Sequence, residues 1–116
     1  MRYLLLICGD EREYDTMTQE QAAGRMAAWT QYAGALHESG KLRGGERLRP
    51  VSSATTVRVK DGERLLSDGP FAETKEQLGG YFIVEADNLD EAIDWASKMP
   101  HLATGGSVEV RPIWDM

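Results

Sequence analysis

Residues 2–40 read RYLLLICGDEREYDTMTQEQAAGRMAAWTQYAGALHESG. Residues 2–9 form a near-continuous apolar run that stops at Gly9 and Asp10, the pattern of a strand near the middle of a sheet. The polar segment from Glu11 to Asp15 predicts a loop. Thr18, followed three residues later by Gln21, is a capping-box pattern that opens a helix. Ala22, Met26, Trp29, Ala33 and Leu36 recur at alternating helical spacings and predict one apolar face. Gly40 supplies a left-handed stop. The chain therefore opens with a strand and a long helix.

Residues 46–51 (ERLRPV) read as a short strand with Pro50 at an edge. Thr55 to Lys60 alternates, and Asp61-Gly62 is a strong signal for a type I′ hairpin, because both central residues need positive φ. Closing the hairpin there sets Lys60 opposite Glu63 and Val57 opposite Leu66. The stretch DGPFAETKEQLGG (68–80) reads as a turn into a short helix that ends at Gly79-Gly80. Residues 81–86 form a strand, and Asp87 caps a second helix whose apolar face is Leu89, Ala92, Ile93, Ala96 and Met99. Pro100 ends that helix, and residues 107–114 form the last strand. The order β-α-β-β-β-(short helix)-β-α-β is an α+β, ferredoxin-like split β-α-β with an extra hairpin, in one domain over 1–116. It predicts an antiparallel sheet with two helices on one face. The other face needs cover, and a second copy of the same sheet supplies it, so a homodimer is expected.

The 116 residues suit one domain, and 41% hydrophobic content supports a core. Nineteen acidic against thirteen basic side chains, with no basic run, argue against a nucleic-acid partner. The longest unbroken apolar stretch, Leu4 to Cys8, is far short of the ~20 residues of a membrane span. With no cleavage-like leader pattern either, a cytoplasmic address is expected. Cys8 is the only cysteine, which excludes an internal disulfide and a cysteine-built zinc site. Two histidines, His37 and His101, exclude a multi-histidine metal site, and no nucleotide cradle is present, so no cofactor is expected.

The segment Asp68-Gly69-Pro70-Phe71-Ala72-Glu73, continued by Lys75, Glu76, Gln77, Leu78 and Gly79-Gly80, resembles the signature of the DGPF-domain family within the YCII-related group. The opening RYLLLICG, the Leu48-Arg49-Pro50 segment and the closing Glu109-Val110-Arg111-Pro112 agree with it. The resemblance implies a dimeric α+β barrel, in which two ferredoxin-like sheets pack around an internal cleft. It also implies kinship with small cofactor-independent enzymes, including a dehydrochlorinase acting on an aromatic ring and relatives of muconolactone isomerase. Some DGPF proteins are linked with extracytoplasmic-function sigma factors, which implies a regulatory setting rather than a reaction.

The motif reads two ways. Gly69-Pro70 forces a change of direction and Asp68 can accept backbone amides there, which makes the motif a rigid corner. Alternatively Asp68, Glu73, Lys75 and Glu76 crowd ionisable groups beside Pro70 and Phe71, where Asp68 could be tuned into a general base for lyase or isomerase chemistry. Pro70, Phe71, Glu73 and Lys75 would then line a substrate site, with Arg58 and Arg111 pairing an anionic ligand. His37, near the end of the first helix, is a second candidate for proton transfer, or simply a favourable charge at the helix C-terminus. The sequence thus leads to a homodimer, able to assemble further, that binds a small organic molecule. The alternative is a non-catalytic ligand-binding or regulatory dimer.

Overall fold

The computed structural model describes residues 1–70, 72 and 74–116. Its elements are β1 (Arg2–Gly9), α1 (Glu13–Thr16), α2 (Gln19–Glu38), β2 (Leu42–Arg47), β3 (Thr55–Lys60), β4 (Glu63–Asp68), β5 (Gln77–Glu85), α3 (Leu89–Ser97) and β6 (Ser107–Pro112). Short 3₁₀ turns occupy Val51–Ser53 and Pro100–Thr104. Four strands make an antiparallel sheet in the order β2-β5-β1-β6, while among the described residues β3 and β4 pair only with each other. This is the expected α+β fold with its extra hairpin. One chain leaves the sheet open and closes no barrel. No helix among the described residues is long and apolar enough to cross a membrane.

Tyr3, Leu5 and Val84 point from the sheet into a core completed by Tyr32 and Leu36 of α2, Ala92 and Ala96 of α3, and Met99. Because side chains alternate along strands, the opposite face carries Leu4 and Leu6 beside Ile83 and Tyr81, all partly exposed. Capping is as the residues dictate. Thr18 accepts from the Gln21 amide at 3.1 Å while the Gln21 side chain accepts from the Thr18 amide at 3.0 Å. Gly40 takes φ 76°, and Asp61 and Gly62 take 51° and 79°, as a type I′ turn requires. The hairpin register sets Lys60 against Glu63 and Val57 against Leu66.

Several boundaries differ from expectation. The second strand is Leu42–Arg47, with Gly44-Gly45 inside it, and Val51 enters a 3₁₀ turn instead. Residues 13–16 form a helical turn rather than loop. No helix forms between Gly69 and Glu76 among the described residues. Asn88, not Asp87, caps α3, its side chain accepting from the Glu91 amide at 3.0 Å. The buried face of α2 is rotated towards Tyr32, because burying that ring lets its hydroxyl donate to the Trp95 carbonyl at 2.8 Å. Ala22 and Met26 are left exposed on the flank.

Candidate functional site

Where β1 ends, α2 stands off the sheet and leaves a groove of about 370 Å³. Register places Ile7, Phe82 and Arg47 on its sheet side, together with Gly45 and Gly80. The two glycines reduce that floor to backbone: a Cβ at Gly80 would lie 2.7 Å from the Glu46 carbonyl, and one at Gly45 2.7 Å from the Phe82 ring. Met26, Trp29, Thr30 and Ala33 of α2 form the roof, with Tyr14 and Arg25 at its N-terminal end. The walls are thus aromatic and aliphatic with a few polar groups, the usual make-up of a small-molecule site.

Behind the roof lies a polar chain, buried at Arg25 and His101 and open to solvent at Thr104. The Arg25 side chain, 10% exposed, donates from Nη2 to Glu13 Oε1 at 2.7 Å and to Thr104 Oγ1 at 2.9 Å. Thr104 donates to the His101 carbonyl at 3.2 Å. His101 is buried, stacks on Trp29 at 5.5 Å, and sets Nε2 2.7 Å from the Ser107 carbonyl, so that nitrogen carries the proton. Arg25 Nη1 and His101 Nδ1 are buried and unpartnered among the described residues. Burial alone would raise the Glu13 carboxyl, but hydrogen bonding with Thr104 and Arg25, and the Arg25 charge, hold it below the usual range.

The motif makes a second feature at the same end. Gly69 takes φ 94°, which only glycine adopts without strain; its amide donates to the Ala54 carbonyl at 2.7 Å and its carbonyl accepts from Thr56 Oγ1 at 2.7 Å. A wide hollow of about 610 Å³ adjoins Gly69, Pro70, Thr74 and Lys75, with Glu11 and Arg12 opposite. Arg12 is committed to Asp10, with Nη2 to Oδ2 at 2.6 Å, and that bonding lowers the Asp10 carboxyl to about 2.

The structure brings only part of the expected set together. Pro70 and Lys75 line the hollow, and Asp68, exposed at the end of β4, precedes them without lining it. Phe71 and Glu73, expected to bind substrate, lie outside the described residues. Arg58 sits on the hairpin opposite Leu65. Arg111 is opposite Leu4 on the open sheet face, ion-paired with Glu109. His37 is exposed in the last turn of α2, at the end of the sheet where β2 begins, far from the motif. Burial, then the charges of Glu76 and Glu109, push the Cys8 thiol up, which suits an inert side chain.

Sequence reasoning missed the groove. Gly44-Gly45 lie outside the expected strand 46–51 and Gly79-Gly80 read as a stop, yet all four lie within paired strands. Arg25, an arginine inside an otherwise apolar stretch of helix, was the available signal for the polar chain. His101, which the sequence places just after Pro100 without a role, is buried.

The family model for the YCII-related domain matches residues 1–116. An uncharacterised protein of Rhizobium meliloti (strain 1021) is 38% identical over 114 residues, 97% of this chain and 92% of that one. A solved structure of 5-chloro-2-hydroxyhydroquinone dehydrochlorinase from Burkholderia phenoliruptrix AC1100, in complex with 2,5-dihydroxybenzoquinone, matches with a TM-score of 0.57. It is 18% identical and the match covers 99% of this chain and 94% of that one, a likeness of fold.

Proposed function

The chain belongs to the YCII-related domain family, and on that premise we propose that it works in the cytoplasm as a homodimer that binds a small, mostly apolar organic molecule in the groove beneath α2. The observation that carries this is the groove's build: about 370 Å³, apolar walls from Met26, Trp29, Phe82 and Ile7, and Arg47 with Glu46 along its β2 side. A ring-sized anion suits it, its face against Trp29 and its charge towards Arg47. The ligand named in the dehydrochlorinase structure, 2,5-dihydroxybenzoquinone, is of that size and kind and is the natural first probe.

The catalytic form of the proposal is cofactor-independent acid–base chemistry of the lyase or isomerase type, with Asp68 as base and Pro70 and Lys75 beside it. The second reading, a non-catalytic ligand-binding or regulatory dimer in an extracytoplasmic-function sigma factor setting, is favoured by one observation: Asp68 is not among the groove's lining residues. Titration calorimetry with 2,5-dihydroxybenzoquinone tests the site. Binding that drops at least about tenfold in Trp29→Ala and in Arg47→Met supports it; equal affinity in both variants refutes it. Asp68→Asn then separates the readings, since a folded variant with intact binding and no turnover assigns the carboxylate to chemistry.

A further inference from the structure

We propose that the β3–β4 hairpin is an arm that clasps a second copy of this chain, an inference that rests on the homodimer reading above and names the surface that holds it. The hairpin forms a sheet of its own and, among the described residues, makes no ladder with the other four strands. A lone two-stranded ribbon is marginal in water. Its register puts Val57, Val59 and Leu66 on one face, with Thr55, Arg64 and Asp68 around them, while Thr56, Arg58, Lys60, Glu63, Leu65 and Ser67 lie on the other. The apolar face is bare, with Val57 58%, Val59 71% and Leu66 58% exposed.

The whole chain carries the same imbalance. Its accessible surface is 8384 Å² for 12.9 kDa, whereas a folded monomer of that mass exposes about 6,300 Å². Its radius of gyration is 16.2 Å, against about 13.4 Å for a compact chain of this length. The excess is roughly 2,000 Å² per chain, well above the ~800 Å² that each partner contributes to a standard interface and within the range of obligate homodimers.

The occupant is a second copy, and its open sheet face is the seat. That face presents Leu4, Leu6, Ile83 and Tyr81. Residues 55–68 hold three basic and three acidic side chains, so the formal charge of −6 lies entirely on the rest of the molecule. An arm of zero net charge approaches an acidic body without net repulsion. The clasp also bears on the motif. Asp68 closes the last pair of the hairpin opposite Thr55, and Gly69 is bonded to Ala54 and Thr56. Seating the arm on the partner therefore holds the Asp68-Gly69-Pro70 corner in place.

Sedimentation equilibrium of variants tests the clasp. Val57→Asp with Leu66→Asp should raise the dimer dissociation constant at least about 100-fold, and Ser67→Asp, on the polar face, by less than about threefold. Leu6→Asp reports on the sheet face alone. If Leu6→Asp dissociates the dimer and the arm pair leaves it intact, the clasp is refuted while the homodimer stands. If the wild-type protein sediments as a monomer at high micromolar concentration, both fall. Should the arm pair fail to fold, hydrogen exchange on the wild type decides: amides of 55–68 gain protection in the dimer if the arm is seated, and an unchanged rate refutes it.

Discussion

Gly80→Ala and Gly34→Ala make the same chemical change and should move stability in opposite directions. A Cβ on Gly80 would lie 2.7 Å from the Glu46 carbonyl and 3.4 Å from the Arg47 Cα, both backbone atoms of β2. Neither can swing aside as a side-chain tip would, so β2 and β5 must separate by several tenths of an ångström. Overpacking of this kind costs about 1–3 kcal/mol. Against that stand about 0.5–1 kcal/mol from the smaller entropy of the unfolded alanine chain. The net loss is roughly 1–2 kcal/mol. Gly34 is exposed in the interior of α2 with nothing within 4 Å of a built Cβ and no positive φ. There alanine should gain about 1 kcal/mol, the usual helix-interior difference. Urea unfolding followed by tryptophan fluorescence measures both, at one protein concentration because a dimer's stability depends on it. A Gly80→Ala protein as stable as the wild type would refute the close approach of β2 and β5 on which the groove floor rests.

Other outcomes follow from single contacts. The Glu13 carboxyl is held below its usual range, so the folded state keeps it ionised where the unfolded chain would protonate it. Its contribution is complete above the usual glutamate value and is lost as pH falls through the lowered one; urea midpoints of the wild type should drop on that acid side, with a step that Glu13→Gln lacks. Burial pushes the Tyr32 phenol up, so absorbance titration should show a tyrosine that stays un-ionised until alkaline unfolding and is missing from Tyr32→Phe. Tyr32→Phe removes the shorter of two hydrogen bonds to the Trp95 carbonyl, leaving the Lys98 amide at 3.3 Å, and should cost about 1 kcal/mol. A Cβ on Gly106 would overlap the His101 ring and sit 2.9 Å from the His101 carbonyl. Gly106→Ala should therefore cost about 2 kcal/mol and flatten the near-ultraviolet dichroism of the Trp29–His101 stack.

What the sequence made legible was what local chemistry decides. The Thr18 and Gln21 cap, the Gly40 stop and the Asp61-Gly62 turn each act over a few residues, and each appears where its residues place it. The hairpin register follows from the turn alone. Long-range pairing was not legible. Gly44-Gly45 has the composition of a loop and becomes a strand only because β5 lies alongside to accept it. Met26 fits an apolar stripe as well as Tyr32 does, and the choice between them is made by a carbonyl on α3 that no window of α2 contains. His101 is buried because Gly106 and Trp29 leave room for a ring, a three-body fact. The candidate site suffered most, since its floor is written in glycines and glycines carry no chemistry to read.

The motif and the groove meet through the chain itself. β2 and β5 form the groove floor, and the chain between them carries the Val51–Ser53 turn, the hairpin and the Asp68-Gly69-Pro70 corner. Glu11 ties the two ends of that excursion: its carboxylate accepts the Val51 amide at 3.0 Å while its own amide donates to Gln77 Oε1 at 2.8 Å. The Leu48 amide then donates to the Gly79 carbonyl at 2.9 Å, extending the ladder one step past β2. The corner thus fixes where β5 begins, and so how Gly79 and Gly80 face Glu46 and Arg47. On the non-catalytic reading its residues influence a ligand in the groove by setting that spacing, since none of them is among the groove's lining residues. A substitution at Gly69, whose φ of 94° excludes a side chain without strain, should therefore weaken ligand binding through the floor: affinity and the stability of the β2–β5 pairing fall together, whereas a direct binding residue would lose affinity alone.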